Sequence, residues 1–353
     1  MMSFRGERIR ELALPTGPVW LLTEIAESKG RQDLYAKQAP QVLKALREMA
    51  LVQSAESSNR IEGVTVDPSR LRPLVLGNAR PRDRSEEEIQ GYRQALQSIH
   101  AGAADLEITP DFLLLLHRTI QEGSGDAGQW KRVENEIVEL RRDAAPVLRF
   151  RPVSVVQIPS AVEELCLSRR RALDEGRVPP LVVVACFVLD FLCILPFRDG
   201  NGRVWRLLTL LDLYRHGYEV GRYVSLERLV EESREESYEA LRRSSEGWHE
   251  GKHDLLPWIN YFLSILRRAY REFEVRAGQV KSPRGAKRAL VVAAVEAFPG
   301  TFRLADVERA CPGVSRDMVR RVLRELRKAG RISCLARGRD AAWRKGGKPP
   351  LTG

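Results

Sequence analysis

The sequence predicts a mainly helical protein: a helical bundle with one β-hairpin, then a small C-terminal domain of three helices and a basic hairpin. Three observations predict it. Apolar residues recur at helical spacing through most of the chain, as in Val42, Leu43, Leu46, Met49, Ala50 and Leu51. β-type patterning is confined to two short places, residues 133–150 and 332–343. The charge is divided unevenly: residues 281–348 hold 18 Lys/Arg against 6 Asp/Glu, a net of +12, while the whole chain carries +11. The body is therefore close to neutral, and the tail is a basic module suited to an acidic partner.

Taken in order, Pro15-Thr16-Gly17-Pro18 is a turn-rich entry, followed by a short helix near Trp20–Ser28. Residues 36–61 form an amphipathic helix, with Gly63 as its stop. Residues 64–84 are a loop with one short helix, and helices follow at 86–100 and 110–122. His117, beside Leu113 to Leu116, is expected to be a packed structural histidine. Two β-leaning stretches around Arg141-Arg142-Asp143-Ala144-Ala145-Pro146 predict the hairpin, and a helix starts at Ser160. The apolar run Leu181–Leu195, interrupted by Asp190, is 15 residues long. That is short of the roughly 20 needed to span a bilayer, so a core helix is expected. A second helix runs to His216 and stops at Gly217, Ser225 caps a third, and residues 254–274 form a long amphipathic helix closing the core. His249 and His253 lie four apart, but Gly247 and Gly251 break the helix and no third ligand is suggested. The expected organisation is an N-terminal helical region 1–105, a core 106–276, a linker 277–285, a C-terminal domain 286–347 and a tail 348–353.

With 353 residues, 43% hydrophobic and 30% charged, the chain has room for two or three domains around real cores. Five scattered cysteines (Cys166, Cys186, Cys193, Cys311, Cys334) lack metal-type spacing and read as free thiols of a reducing cytoplasm. The first residues, Met1-Met2-Ser3-Phe4-Arg5, contain no apolar segment of the signal-peptide kind, and no membrane partner is expected.

The chemistry concentrates in Leu195-Pro196-Phe197-Arg198-Asp199-Gly200-Asn201-Gly202-Arg203-Val204-Trp205-Arg206. This is a glycine-rich turn between two apolar helices, and it opens onto a helix N-terminus. Unpaired N–H groups and the helix dipole favour an anion there. Asp199 can hold a metal ion, and Arg203 and Arg206 lie three apart on one helical face. That combination suits a Mg-bound polyphosphate.

The segment resembles the signature of Fic-domain proteins, His-x-Phe-x-Asp/Glu-Gly-Asn-Gly-Arg-x-x-Arg. Phe197, Asp199, Gly200, Asn201, Gly202, Arg203 and Arg206 match, whereas Leu195 stands where the family has its base histidine. Ser58, Glu62 and Gly63 resemble the family's inhibitory motif, Ser/Thr-x-x-x-Glu-Gly/Asn. The resemblance spans roughly residues 20–275 and implies a Fic-type helical bundle with the hairpin as a flap over the site. It implies transfer of AMP from ATP to a Ser, Thr or Tyr hydroxyl of a protein target. By the same resemblance Asp199 ligates Mg²⁺, and Gly200, Asn201 and Gly202 form the anion cradle. Arg203 and Arg206 neutralise phosphate charge, and Phe197 anchors the loop. Tyr238 borders the adenine pocket, with Ser237 where relatives often carry a second tyrosine. Glu62 pairs with Arg206 and blocks productive placement of the γ-phosphate.

Leucine accepts no proton, so several readings stay open. One is an auto-inhibited adenylyltransferase that is inactive or strongly impaired. Another is a DNA-binding regulator with a nucleotide-binding Fic scaffold. A third is a de-AMPylating hydrolase in which Glu62 positions water. A fourth is an active enzyme with an introduced leucine. A homodimer is also compatible with the sequence. The C-terminal helices and hairpin resemble a winged helix-turn-helix, which implies contact with duplex DNA through Arg316, Arg320, Arg321 and Arg324, with Arg337 and Arg339 on the wing.

Overall fold

The structure, a computed structural model, describes residues 1–38, 40–139, 147–278, 286–298, 300–311, 314–335 and 341–346. The chain divides into two compact units: residues 1–29 with 45–273, and residues 30–44 with 274–353. Among the described residues there are fourteen α-helices and five short strands.

Helix α1 (Thr16–Gln38) starts earlier and runs further than the expected Trp20–Ser28 stretch. Pro18 falls in its first turn, where a missing N–H costs no helical bond, so the proline pair does not break it. Helix α2 (Pro40–Ile61) stops at Gly63, which adopts φ +83°. Asp67 caps α3 (Pro68–Val75) by accepting from Ser69 N at 2.7 Å. Asp83 caps α4 (Arg84–Gly102) through Glu86 N, and Thr109 caps α5 (Pro110–Ile120) through Phe112 N. Strands β1 (Ile137–Glu139) and β2 (Val147–Phe150) pair antiparallel, with an irregularity between Ile137 and Val138. The turn expected at Arg141–Pro146 lies outside the described residues. Helix α6 (Ile158–Glu175) includes Pro159 in its first turn and ends at Gly176 in the left-handed region.

Helix α7 (Pro180–Ile194) is the centre of the first unit. From Leu181 to Ile194 every residue except Leu192 is buried, as expected for a helix that is apolar all round. Its one charge, Asp190, is fully buried and fully partnered. Ser3 Oγ and Trp248 Nε1 each donate to Oδ1 at 2.6 Å, and Ser3 N donates to Oδ2 at 3.1 Å. The N-terminal segment is thus pinned to the middle of the core. Burial outweighs these donors and pushes the Asp190 carboxyl up to about 6. Helix α8 (Asn201–Arg215) is buried along almost its whole length beside α7. Then come α9 (Leu226–Glu232), capped by Ser225, α10 (Arg234–Ser245) and α11 (Leu256–Gly278).

In the second unit, α12 (Ala286–Ala297), α13 (Leu304–Ala310) and α14 (Arg316–Lys328) pack with a three-stranded antiparallel sheet. Its strands are β3 (Phe302–Arg303), β4 (Ile332–Cys334) and β5 (Ala342–Lys345), in the order β3-β5-β4. Val291, Val295, Phe302, Val307, Val319, Val322, Leu323, Leu326 and Ile332 form its core. This is a winged-helix arrangement. The two-residue strand β3 carries too little pattern to be read from sequence. Residues 277 and 278 of the expected linker continue α11, while 279–285, the wing residues Arg337 and Arg339 and the tail 348–353 lie outside the described residues.

No helix among the described residues is long and apolar enough to cross a membrane.

Candidate functional site

The glycine-rich segment occupies the turn between α7 and α8. Leu195 ends α7 with φ 49° and ψ 65°, the one non-glycine residue with positive φ among the described residues. That conformation costs a leucine about 1–2 kcal/mol and is visited more readily by Asn, Asp or His. Its N–H still donates to Phe191 O at 3.0 Å, closing the helix end. Gly200, with φ 77°, turns the chain into α8.

Four hydrogen bonds and the packing of one ring hold this turn. Asn201 Nδ2 donates to Phe197 O at 2.7 Å, and Phe197 N donates to Asn201 Oδ1 at 3.0 Å. The Phe197 ring is fully buried, stacked on His117 with centroids 3.9 Å apart and close to Trp130. Lys131 N donates to Pro196 O at 2.9 Å. His117 Nδ1 accepts from Gly128 N at 3.0 Å, which leaves Nε2–H to donate to Asp199 O at 3.1 Å. Burial holds the His117 imidazole below its usual range, consistent with this neutral tautomer. The histidine expected only to pack therefore also braces the loop backbone.

Asp199 projects outward with its side chain 68% exposed. Oδ1 accepts from Gly200 N at 2.7 Å and Oδ2 from Gln121 Nε2 at 3.0 Å. Its carboxylate is oriented and still open to solvent, which fits a hard cation such as Mg²⁺ that binds one carboxylate and keeps other oxygen ligands.

The two arginines near the start of α8, Arg203 and Arg206, part ways. Arg203 is 1% exposed and its charge is met by Glu88 of α4, with Asn59 Oδ1 of α2 at 3.3 Å and Asp199 Oδ2 at 3.5 Å. Arg206 faces α2. Its Nε donates to Ser58 Oγ at 2.8 Å, and its Nη2 donates to Ser58 O at 2.9 Å and to Glu62 Oε1 at 2.7 Å. The Glu62 carboxylate lies against the start of α8, where a Cβ on Gly202 would overlap Oε1. Ser58, Glu62, Gly202 and Arg206, distant in sequence, therefore meet at one place, and Gly63 serves as the helix stop that follows.

This place opens onto a cavity of about 160 Å³. Glu62, Gly202 and Arg206 line it together with Arg234, Ser237 and Tyr238 of α10. Tyr238 is 48% exposed, and Arg234 lies over its ring. The glycine-rich segment and Tyr238, 32 residues beyond Arg206 in the chain, thus border one space.

Sequence reasoning missed several supports: Glu88, Asn59, Gln121 and the buried Glu227. Glu227 Oε2 accepts from Ser54 Oγ of α2 at 2.7 Å and Oε1 from Tyr92 OH at 2.9 Å. Of these only Asn59 had a signal, its place beside Ser58. His249 instead contacts Arg151 O at 2.7 Å and His253 contacts Ser3 Oγ at 3.1 Å. Among the described residues, no group of three or more His, Cys, Asp or Glu gathers to hold a metal.

A helical bundle with a short hairpin and a glycine-rich turn feeding a buried helix defines the class: this is the mainly helical Fic fold, with a small C-terminal sheet. Residues 107–213 match the model of the Fic/DOC family. A Fic family protein from Desulfovibrio desulfuricans G20 is similar over 96% of this chain and 98% of its own, with TM-score 0.61 and 21% identity. A Fic domain containing signaling protein from Bacteroides thetaiotaomicron VPI-5482 is similar over 76% of this chain and 100% of its own, with TM-score 0.60 and 20% identity. Fic-1 (residues 134–508) from C. elegans is similar over 72% of this chain and 73% of its own, with TM-score 0.54 and 21% identity. No curated protein matches the chain.

Proposed function

We propose that this chain is a nucleotide-binding Fic-fold protein of the AMP-transferring kind, held off by its own α2 and deprived of its proton acceptor. The observation that carries the reading is the Glu62 carboxylate, bonded to Arg206 and seated against Gly202 at the start of α8. A glycine-rich turn at a helix start is an anion site by its backbone chemistry. Here the chain's own carboxylate lies beside that helix start, and Arg206, the arginine available for a phosphate, is already ion-paired with it.

With Glu62 withdrawn, the residues can divide the work. Arg206 and the N–H groups opening α8 would meet the β- and γ-phosphates of ATP. The exposed Asp199 would hold Mg²⁺, which supplies charge neutralisation at the phosphates. Tyr238 and Ser237, which line the same cavity, would take the base. Arg203 stays behind the loop, and its bond to Glu88 fixes the first turn of α8. The hairpin β1–β2 would present a target segment by strand addition. Leu195 stands where a hydroxyl must lose its proton, and a side chain without a lone pair does not assist. Loss of a general base typically costs about 10²–10⁴-fold in rate.

The test restores the base and removes the carboxylate that holds the site off. Leu195→His with Glu62→Gly, incubated with Mg²⁺ and ATP labelled at the α-phosphate, is expected to label itself, while the wild-type chain stays unlabelled. Persistent silence of the double variant, with its fold intact by circular dichroism, refutes the AMP-transfer reading.

A further inference from the structure

Helix α10 lines the cavity with one stripe of side chains. Arg234, Ser237, Tyr238 and Leu241 follow at i, i+3, i+4 and i+7, and all four border it. Arg234 is the odd member. It is exposed and makes no ion pair among the described residues. Carboxylates stand close by in the chain, yet Glu231, about one turn earlier, pairs with Arg60 of α2 at 3.2 Å instead. Neighbouring arginines do find partners: Arg228 pairs with Glu232 and Glu272, and Arg242 with Glu239 and Glu246. Arg234 lies over the Tyr238 ring, its guanidinium carbon 5.3 Å from the centroid. Its Nε and Nη2 each donate to Tyr238 Oη at 3.2 Å. Neither the glycine-rich segment nor the contacts of Glu62 make use of it.

We propose that Arg234 is a base-binding residue, and that the base of the nucleotide slots between its guanidinium plane and the Tyr238 ring. The inference rests on the nucleotide-binding function proposed for the cavity, and adds the side chain that grips the base. Three features favour a base over a phosphate as the group Arg234 meets. A guanidinium is flat and weakly hydrated, and it stacks on aromatic rings and on bases. Its present partner is already a ring face, and a base offers a second one. Leu192, Val230 and Trp258 border the same cavity, apolar surroundings that suit a flat heterocycle and not a phosphate. Admitting the base requires the guanidinium to swing away from the ring. Its two bonds to the phenol oxygen are at the long end of the hydrogen-bond range and are exposed, so releasing them costs little. A purine presents a larger face than a pyrimidine and buries more of it, so the clamp selects purines.

The experiment uses the full chain with Glu62→Gly, which removes the carboxylate from Arg206. Calorimetry compares Mg-ATP, Mg-CTP and magnesium tripolyphosphate, which has no base. ATP should bind more tightly than CTP. Arg234→Ala should weaken ATP roughly fivefold or more, the scale of one lost stacking contact. It should also bring the ATP and CTP affinities together and leave tripolyphosphate unchanged. The melting temperature should not move, because the side chain is exposed and not ion-paired. Arg234→Lys should not restore ATP binding, since an ammonium carries charge without a plane. Tyr238→Phe keeps the ring and removes the oxygen that holds the guanidinium, and should leave ATP affinity unchanged. Equal loss of ATP and tripolyphosphate in Arg234→Ala, with rescue by lysine, makes Arg234 a phosphate ligand and overturns the proposal. Equal loss of ATP in Tyr238→Phe and Arg234→Ala makes it only a prop for Tyr238 and overturns it too. ATP bound as tightly by Arg234→Ala as by its parent refutes this inference alone. A Glu62→Gly chain that binds neither ATP nor tripolyphosphate refutes the nucleotide-binding function along with it.

Discussion

In the proposed function, Glu62 is the residue that sets the state of the site. It is a single carboxylate whose partner, Arg206, is 4% exposed and has Ser58 as its other hydrogen-bond partner. A buried guanidinium stripped of its carboxylate is costly, about 3–5 kcal/mol, unless another anion arrives. That makes the vacated site receptive to phosphate. Mg-ATP is therefore expected to bind the wild-type chain weakly and Glu62→Gly at least tenfold more tightly by calorimetry; equal affinities would show that Glu62 does not compete with nucleotide. Leu195 raises the opposite question, because its backbone is strained for leucine and tolerable for histidine. Leu195→His alone should leave the melting temperature within a few degrees of wild type. A large drop would mean that the half-buried leucine side chain, rather than the helix end, holds this turn.

At the level of elements, the last turns of α2 and the Glu62 that follows are fastened within the first unit by a polar seam. Ser54, Ser58, Asn59 and Glu62 meet Glu227, Arg206, Arg203 and Arg206 respectively. Polar seams are directional, so they fix where Glu62 lands along α8 more sharply than apolar packing does. Gly202 is the complementary feature, since only a residue without Cβ leaves room for the carboxylate. Gly202→Ala should destabilise the wild-type chain by about 1–3 kcal/mol in urea denaturation, the usual cost of overpacking. In a Glu62→Gly background the same change should be neutral or stabilising, because alanine is the better helix former. Additive effects would place Glu62 elsewhere in solution. The β1–β2 hairpin is fixed differently, by Phe150 stacked on His249, whose Nε2 meets Arg151 O.

Across the molecule, charge and burial are distributed by unit. The second unit holds the net positive charge on a small core, while the first is organised around α7 and the buried Asp190. Asp190 makes stability depend on pH. Its carboxyl stands at about 6 in the folded state, against about 3.9 in an unfolded chain. A raised carboxyl binds more protons folded than unfolded, so its contribution is fully present below pH 4 and is lost as pH rises through 6. The loss is about 3 kcal/mol. Asp190→Asn removes this titration. The stability of wild type relative to Asp190→Asn should fall by that order between pH 4 and pH 7 in urea denaturation, whereas parallel curves would mean that Asp190 titrates normally.

What the sequence by itself determined was local. Amphipathic spacing gave α2 and α11 and a continuous apolar run gave α7, while Asp67, Asp83, Thr109 and Ser225 cap helices by a chemistry that needs only near neighbours. The glycine-rich turn was legible because positive φ and an open helix start demand particular residues at fixed spacing. The pairing of Glu62 with Arg206 was legible only through resemblance, since 144 residues separate them. Tertiary structure alone decided that Arg203 turns to Glu88 while Arg206 turns to Glu62, and that Asp190 is held by Ser3 and Trp248. It also decided that Arg316 of α14 pairs with Glu308 of α13. These outcomes depend on which distant carboxylate or hydroxyl the packing of helices brings within about 3 Å, and no local pattern encodes that distance.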